Sequence, residues 1–153
     1  MKVRDLMTKN VQFCEPATNL ASAAEIMWNT DCGVLPVVTD GKLAGILTDR
    51  DICMALGTRN RRPSEITAGD VATKDVETCA PEADVHAAMT LMRKAKVRRL
   101  PVVEDGHLKG ILAINDIVDA VDRKHGAIDY EEVMGTMKAI CEHRAHKPLA
   151  ATA

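Results

Sequence analysis

The sequence aligns with itself. Displaced by 65 residues it matches without a gap, and 20 of the 48 positions from Asp5 to Ile52 are identical to their counterparts. "DLMTKNVQFCEP" (Asp5–Pro16) meets "DVATKDVETCAP" (Asp70–Pro81), and "LPVVTDGKLAGIL" (Leu35–Leu47) meets "LPVVEDGHLKGIL" (Leu100–Leu112). Two copies of one small supersecondary unit are present. A unit of about 55 residues buries too little surface to be stable alone. The two copies must therefore pack on one another, related by a pseudo-twofold, and that packing leaves a symmetric pair of clefts between them. The expected division is a first unit over 1–60, a second over 61–125, a helix over 126–145 and a disordered tail over 146–153.

Each copy has the same pattern. A short helical turn (Arg4–Met7; Ala68–Ala72) leads into an extended run (Val11–Phe13; Val76–Thr78) and then a proline, Pro16 or Pro81. Apolar periodicity predicts a helix over Leu20–Thr30 with Leu20, Ala23, Ala24 and Met27 on one face, and over Val85–Ala95 with Val85, Ala88, Met89 and Met92. "VLPVV" and "RLPVV" read as strands. "DGK" and "DGH" are tight turns with glycine where φ is positive, and "LAGIL" and "LKGIL" are the hairpin partners. A last helix starts near Arg50 or Asn115, with Asp49 or Asn115 as its cap. The fold class is α/β (α+β): two pseudo-symmetric β-α-β-β-α units packed sheet to sheet, with an additional C-terminal helix.

Composition narrows the function. One Phe, one Tyr and one Trp give no row of aromatic platforms for stacking single-stranded nucleic acid. A net charge of −2 gives no global attraction to nucleic acid or to an anionic membrane. The run "TRNRRP" (Thr58–Pro63) carries Arg59, Arg61 and Arg62, but no helix-turn-helix, zinc-finger or RNA-recognition pattern accompanies it. The first residues, "MKVRDLM", do not read as a signal peptide, and no window approaches about 18 apolar residues, so the expectation is a cytoplasmic protein. Five cysteines, at 14, 32, 53, 79 and 141, include no C-x2-C pair. They read as reduced, mostly buried thiols, and no metal site is expected.

The stretch "GILTDRD" (Gly45–Asp51) holds a hydroxyl, two carboxylates and a guanidinium within four residues. Successive helical residues point about 100° apart, so Asp49 and Asp51 diverge and do not form a pair for acid–base work. No Ser-His-Asp pattern, Gly-x-Gly-x-x-Gly or Walker lysine is present. Its repeat, "GILAIND" (Gly110–Asp116), keeps the aspartate and replaces Thr48 by Ala113 and Asp49 by Ile114.

Taken together, "DLMTKNV…P" and "DVATKDV…P", the two "LPVV.DG.L.GIL" stretches and the Gly-x-x-Thr-x-x-Asp frame resemble a tandem pair of cystathionine-beta-synthase (CBS) domains, a Bateman module. The resemblance covers residues 3 to 122, and the "MKAIC" of the tail resembles that of free-standing bacterial members. It implies a non-catalytic, dimeric regulatory module. Its ligand would contain adenosine (AMP, ADP, ATP or S-adenosylmethionine), and its partner would be an effector protein that the sequence does not identify.

The resemblance also gives roles to residues that have simpler readings. Asp51 is either a capping carboxylate or, as the family implies, a clamp on the ribose hydroxyls; Asp116 matches it in the second copy. Thr48 is either an N-terminal cap or a contact to phosphate at a helix start. Arg98 and Arg99 are either a charged surface or a fork for phosphate. By the family's pattern Thr48 and Asp51 share a cleft with Asp75–Thr78 and Val97–Pro101. There Asp75, Val76, Val97, Leu100 and Pro101 join the two arginines, and Val76, Val97 and Leu100, with Ile46 on the opposing wall, serve either as core or as an adenine slot. The other cleft, with Asp116 and Ala113 beside Asn10–Phe13 and Cys32–Pro36, is expected to be poorer in phosphate contacts. The alternative function is a structural or protein-interaction module with no nucleotide. The C-terminal helix, with Tyr130, Val133, Met134, Met137, Ile140 and Cys141 at helical spacing, either folds back on the module or packs across a dimer.

Overall fold

The computed structural model describes residues 1–123 and 128–142. The expected tail over 146–153 lies outside these, as do the ends of the expected segment 126–145. The elements are α1 (Leu20–Asn29), β1 (Val34–Thr39), β2 (Lys42–Thr48), α2 (Asp49–Arg59), α3 (Ala68–Val71), α4 (Val85–Ala95), β3 (Arg99–Glu104), β4 (His107–Ala113), α5 (Ile114–Arg123) and α6 (Tyr130–Cys141). A 3-10 turn, Val3–Asp5, precedes them.

Each hairpin turns on an Asp-Gly pair with both residues at positive φ, 50° and 77° at Asp40–Gly41 and 52° and 80° at Asp105–Gly106. This backbone matches the twist of the flanking strands. The hairpins are in the same register, Leu35 opposite Leu47 and Leu100 opposite Leu112, and each has a bulge that skips Ala44 or Lys109. They join in one sheet of order β1-β2-β4-β3 through a single pair at their turns, Lys42 with His107. Beyond that pair β2 and β4 have no further ladder to one another.

The edges left by this parting are taken up by the segment that leads each repeat, and each segment serves the other repeat. Thr8 pairs with Ile111 of β4, and Thr73 with Ile46 of β2. Upstream, the Val85 N–H donates to the Met1 carbonyl at 3.0 Å, and the Leu20 N–H to the Ile66 carbonyl at 2.9 Å. One orphan donor at the start of α4 and one at the start of α1 are thus satisfied from the opposite repeat. The apolar side chains follow the same exchange. Val3 lies in the core of the second unit with Val85, Met89 and Leu100, while Ile66 and Ala68 lie in the core of the first with Leu20, Leu35 and Leu47. Lys2 and Arg4 both pair with Glu82 of the second unit. Each core is closed by a residue from the other half of the chain.

The exchange explains Gly45 and Gly110. Both lie inside strands. A Cβ on Gly110 would meet the Thr8 carbonyl oxygen at 2.5 Å, and one on Gly45 would meet that of Thr73 at 2.8 Å. The glycines are there so that the exchanged backbone can approach.

The repeated β-α-β-β-α units, their sheet-to-sheet packing and the extra helix are as expected, but the leading strand of each unit is shorter. Val11–Phe13 and Val76–Thr78 form no ladder; only Cys14 bridges Val37 and Cys79 bridges Val102. These segments must cross from one hairpin to the other, and a proline two residues later ends the pairing. The thiols also differ from expectation. Cys14 is buried and Cys32 and Cys79 are half-buried, but Cys53 and Cys141 are exposed. Burial raises the pKa of Cys14 and Cys79 to about 11, so both remain thiols at neutral pH.

Ile66→Ala should lower the unfolding free energy by about 2–4 kcal/mol, the usual loss for a buried Ile, and Gly110→Ala by about 1–3 kcal/mol through overpacking. Urea denaturation measures both. A near-neutral Ile66→Ala would contradict the exchanged cores.

Candidate ligand site between the two repeats

Both helices that open toward the cleft start where a strand ends, so their first-turn N–H groups sit beside strand-end side chains. At α2 the cap is Thr48, not Asp49. The Asp51 N–H donates to Thr48 Oγ1 at 3.1 Å, the Thr48 N–H donates to Asp51 Oδ2 at 2.9 Å, and the Thr48 hydroxyl donates to the same oxygen at 2.7 Å. This reciprocal arrangement is a capping box. Asp49 Oδ1 accepts from the Arg50 N–H instead. At α5 half of the box survives: the Ala113 N–H donates to Asp116 Oδ2 at 2.8 Å, and Ala113 has no hydroxyl to return.

Asp51 is therefore engaged by its own helix start, while Asp116 keeps one backbone donor and is otherwise less satisfied. Burial raises the pKa of Asp116; the Ala113 N–H and Arg99 act in the opposite direction, and Asp119 adds to the rise. The structure holds a half-buried carboxylate at a site that does not favour its charge. Such groups cluster where a ligand completes them.

Arg99 is the cation whose charge acts on this carboxylate. The strand register places it directly opposite Ala113, and the Ile114 N–H donates to the Arg98 carbonyl at 2.9 Å. Burial and the neighbouring Arg98 lower the Arg99 pKa, while Asp49, Cys32 and Asp116 pull it upward. Its guanidinium is thus within electrostatic reach of Asp116 on its own repeat and of Asp49 and Cys32 on the other. It forms no ion pair with either aspartate. Arg98 is exposed. The arginine pair lies on the same hairpin as Ala113 and Asp116, because β3 and β4 are antiparallel neighbours and the pre-proline residues face the strand end. Arg99 stands between the repeats and does not belong to the Thr48 side alone.

The other expected residues divide by burial. Leu100 and Pro101 are buried, and Leu100 belongs to the core of the second unit. Val97 packs at the margin of that core. Asp75 is exposed and Val76 half-buried, on the stretch that runs from Thr73 beside β2 to Cys79 beside β3. Asp75 and Val76 thus lie along the crossing between the hairpins, and Val97 and the arginines at the entry to β3. Cys32 had no place in the expected Thr48 cleft. The signal for it was its position one residue before Gly33, the repeat counterpart of Arg98.

Asp116→Asn should report the local strain. A carboxylate whose folded pKa is raised holds its proton more tightly when folded, so its contribution to stability is present at low pH and lost as pH rises through that pKa. The Asn variant cannot ionise and can keep the bond from the Ala113 N–H. It should be more stable than the parent to urea at pH 7, and the difference should vanish below the ordinary carboxylate range.

Comparison with known proteins gives the same architecture. The CBS domain model matches residues 3–58 and 68–123. The chain is 34% identical over 115 residues to the CBS domain-containing protein YhcV of Bacillus subtilis, covering 75% of this chain and 81% of that protein. It is 31% identical over 143 residues to hypoxic response protein 1 of Mycobacterium tuberculosis, covering 93% and 95%. Among solved structures, CBSX2 in complex with AMP superposes with a TM-score of 0.71 at 29% identity, over 80% of this chain and 96% of that one.

Proposed function

Because the chain belongs to the CBS domain family, whose members are characteristically non-catalytic regulatory modules, we propose that it is a sensor of an adenosine-containing ligand bound between its two repeats. The ligand is of the AMP, ADP or ATP class, and S-adenosylmethionine is the fourth candidate. The observation that carries this reading is Arg99: a half-buried guanidinium, set between Asp116 and Asp49 without an ion pair to either. A phosphate group satisfies such a fork, and in a half-desolvated site each charge-assisted bond is strong.

Asp116 takes the ribose hydroxyls in this reading, with Arg99 and Arg98 on the phosphate side. Val76 and Val97 flank the adenine, with Leu100 and Pro101 as its floor. Thr48 and Asp51 form the corresponding clamp in the first repeat, and Asp75 closes the edge between them. The Thr48–Asp51 box has to open before Asp51 can accept from a ribose, so the two clamps are expected to differ in affinity. The similarity to a CBS pair crystallised with AMP supports the ligand class. Binding draws the two repeats together, and the shifted population is read by an effector protein or by a second copy in a homodimer. Among the described residues no helix is long and apolar enough to cross a membrane.

Isothermal titration with AMP, ADP, ATP and S-adenosylmethionine tests this. At least one should bind. Arg99→Ala and Asp116→Ala should each weaken it by about tenfold or more, the range for a bond to a charged group. Absence of heat and of any thermal shift with all four would leave the structural or protein-interaction module as the reading.

A further inference from the structure

In the second unit, the groove between α4 and α5 is filled by the chain itself. Val133 of α6, with Ile128 and Ile140, packs into one core with Met89, Met92 and Ile117, and Val121 lies against it. Charge fixes the helix at both ends. Glu132, in its first turn, meets His86 at 2.6 Å and Arg93 at 3.7 Å. Glu142, just past its end, meets Lys96 at 3.1 Å. α6 therefore runs parallel to α4, start beside start and end beside end. It is an amphipathic helix seated in a groove by apolar anchors and paired charges.

The 65-residue repeat carries the same groove to the first unit, between α1 and α2. Met89, Met92, Ile117 and Val121 become Ala24, Met27, Ile52 and Leu56, and these four line an open cavity of about 580 Å³. The chain after Arg59 passes into the leading segment of the second repeat, so no counterpart of α6 follows there among the described residues. The apolar lining is kept, but the charges at the rim are not. His86 becomes Ala21, Arg93 becomes Trp28 and Lys96 becomes Asp31. Ile114 becomes Asp49, whose carboxylate lies beside Gly33 on the cavity wall. A cationic rim in the second unit is thus an aromatic and acidic rim in the first. Trp28 is 86% exposed, and an indole face in that position attracts a cation.

We propose that the α1–α2 groove is a docking site for an amphipathic helix of a partner protein, apolar where α6 has Val133 and Ile140 and basic where it has Glu132 and Glu142. Such a helix lies along α1 as α6 lies along α4. Its last-turn Lys or Arg then stands beside Asp31 and Asp49, where its own C-terminal dipole also favours a cation. Its first-turn Lys or Arg stands over Trp28. The reversed rim selects against α6 of a second copy, which would bring Glu142 against Asp31. The proposal does not rest on binding of an adenosine ligand.

Trp28 is the chain's one tryptophan, so its fluorescence reports on the groove directly. The probes are two synthetic peptides of residues 128–142, each with Cys141→Ser and held helical by a hydrocarbon staple between positions 130 and 134, on the outer face. One is otherwise unchanged and the other carries Glu132→Lys and Glu142→Lys. Titrated into the full chain without nucleotide, the lysine peptide should shift Trp28 emission to the blue and saturate. It should bind about fivefold tighter than the unchanged peptide, the scale of two exposed charge pairs. Asp31→Lys should remove that preference; Lys96 holds the same left-handed backbone, φ 53° against 49°, so the variant should keep its fold by circular dichroism. No saturable shift with the lysine peptide, equal or tighter binding of the unchanged one, or a preference that Asp31→Lys leaves intact would overturn the proposal. So would a blue shift of the protein alone that grows with its concentration, which would place a second copy in the groove.

Discussion

The structure depends on a reciprocal exchange of chain segments. Val3 closes the core of the second unit and Ile66 that of the first. The carbonyls of Met1 and Ile66 accept from the first N–H groups of α4 and α1. Two units of this size cannot each bury an adequate core. The exchange makes the fold of each repeat conditional on the other. It also spaces the hairpins, which are hydrogen-bonded only at their turns, with Thr8 and Thr73 laid along the edges that part. The opening between the repeats therefore follows from how the chain completes its cores.

That opening is where the polar groups with unspent capacity lie. The first repeat satisfies its helix start internally through the Thr48–Asp51 box, whereas the second lacks the hydroxyl and leaves Asp116 with one backbone donor. Arg99, in register with Ala113, lies between these two helix starts. Loss of one hydroxyl in an otherwise repeated motif thus makes two similar sites chemically different. The site that is less complete by itself has more to gain from a ligand.

Much of this was legible in the sequence, because a repeat doubles each signal. The Asp-Gly turns, the Leu-Pro-Val-Val strands, the helices with apolar faces at Leu20 and Val85 and the family resemblance all follow from local pattern. The exchange was not legible. Periodicity shows that Val3 and Ile66 are apolar and equivalent, but not which core each enters. For the same reason the pattern does not show that Gly45 and Gly110 admit a carbonyl from the other repeat. The neighbours of Arg99 on its own hairpin were not legible from the family pattern, because antiparallel register decides which strand-end residues face one another. Thr48 as the cap, in place of Asp49, turned on a one-residue difference in where strand becomes helix.

The central claim is that one ligand is held by both repeats. Hydrogen–deuterium exchange of the full chain, with and without a saturating adenosine ligand, tests it most directly. The account predicts that a single ligand slows exchange at the starts of both α2 and α5, at the Arg98–Leu100 strand entry and along the Asp75–Thr78 crossing. Protection confined to one repeat, or to the α1–α2 groove, would contradict it.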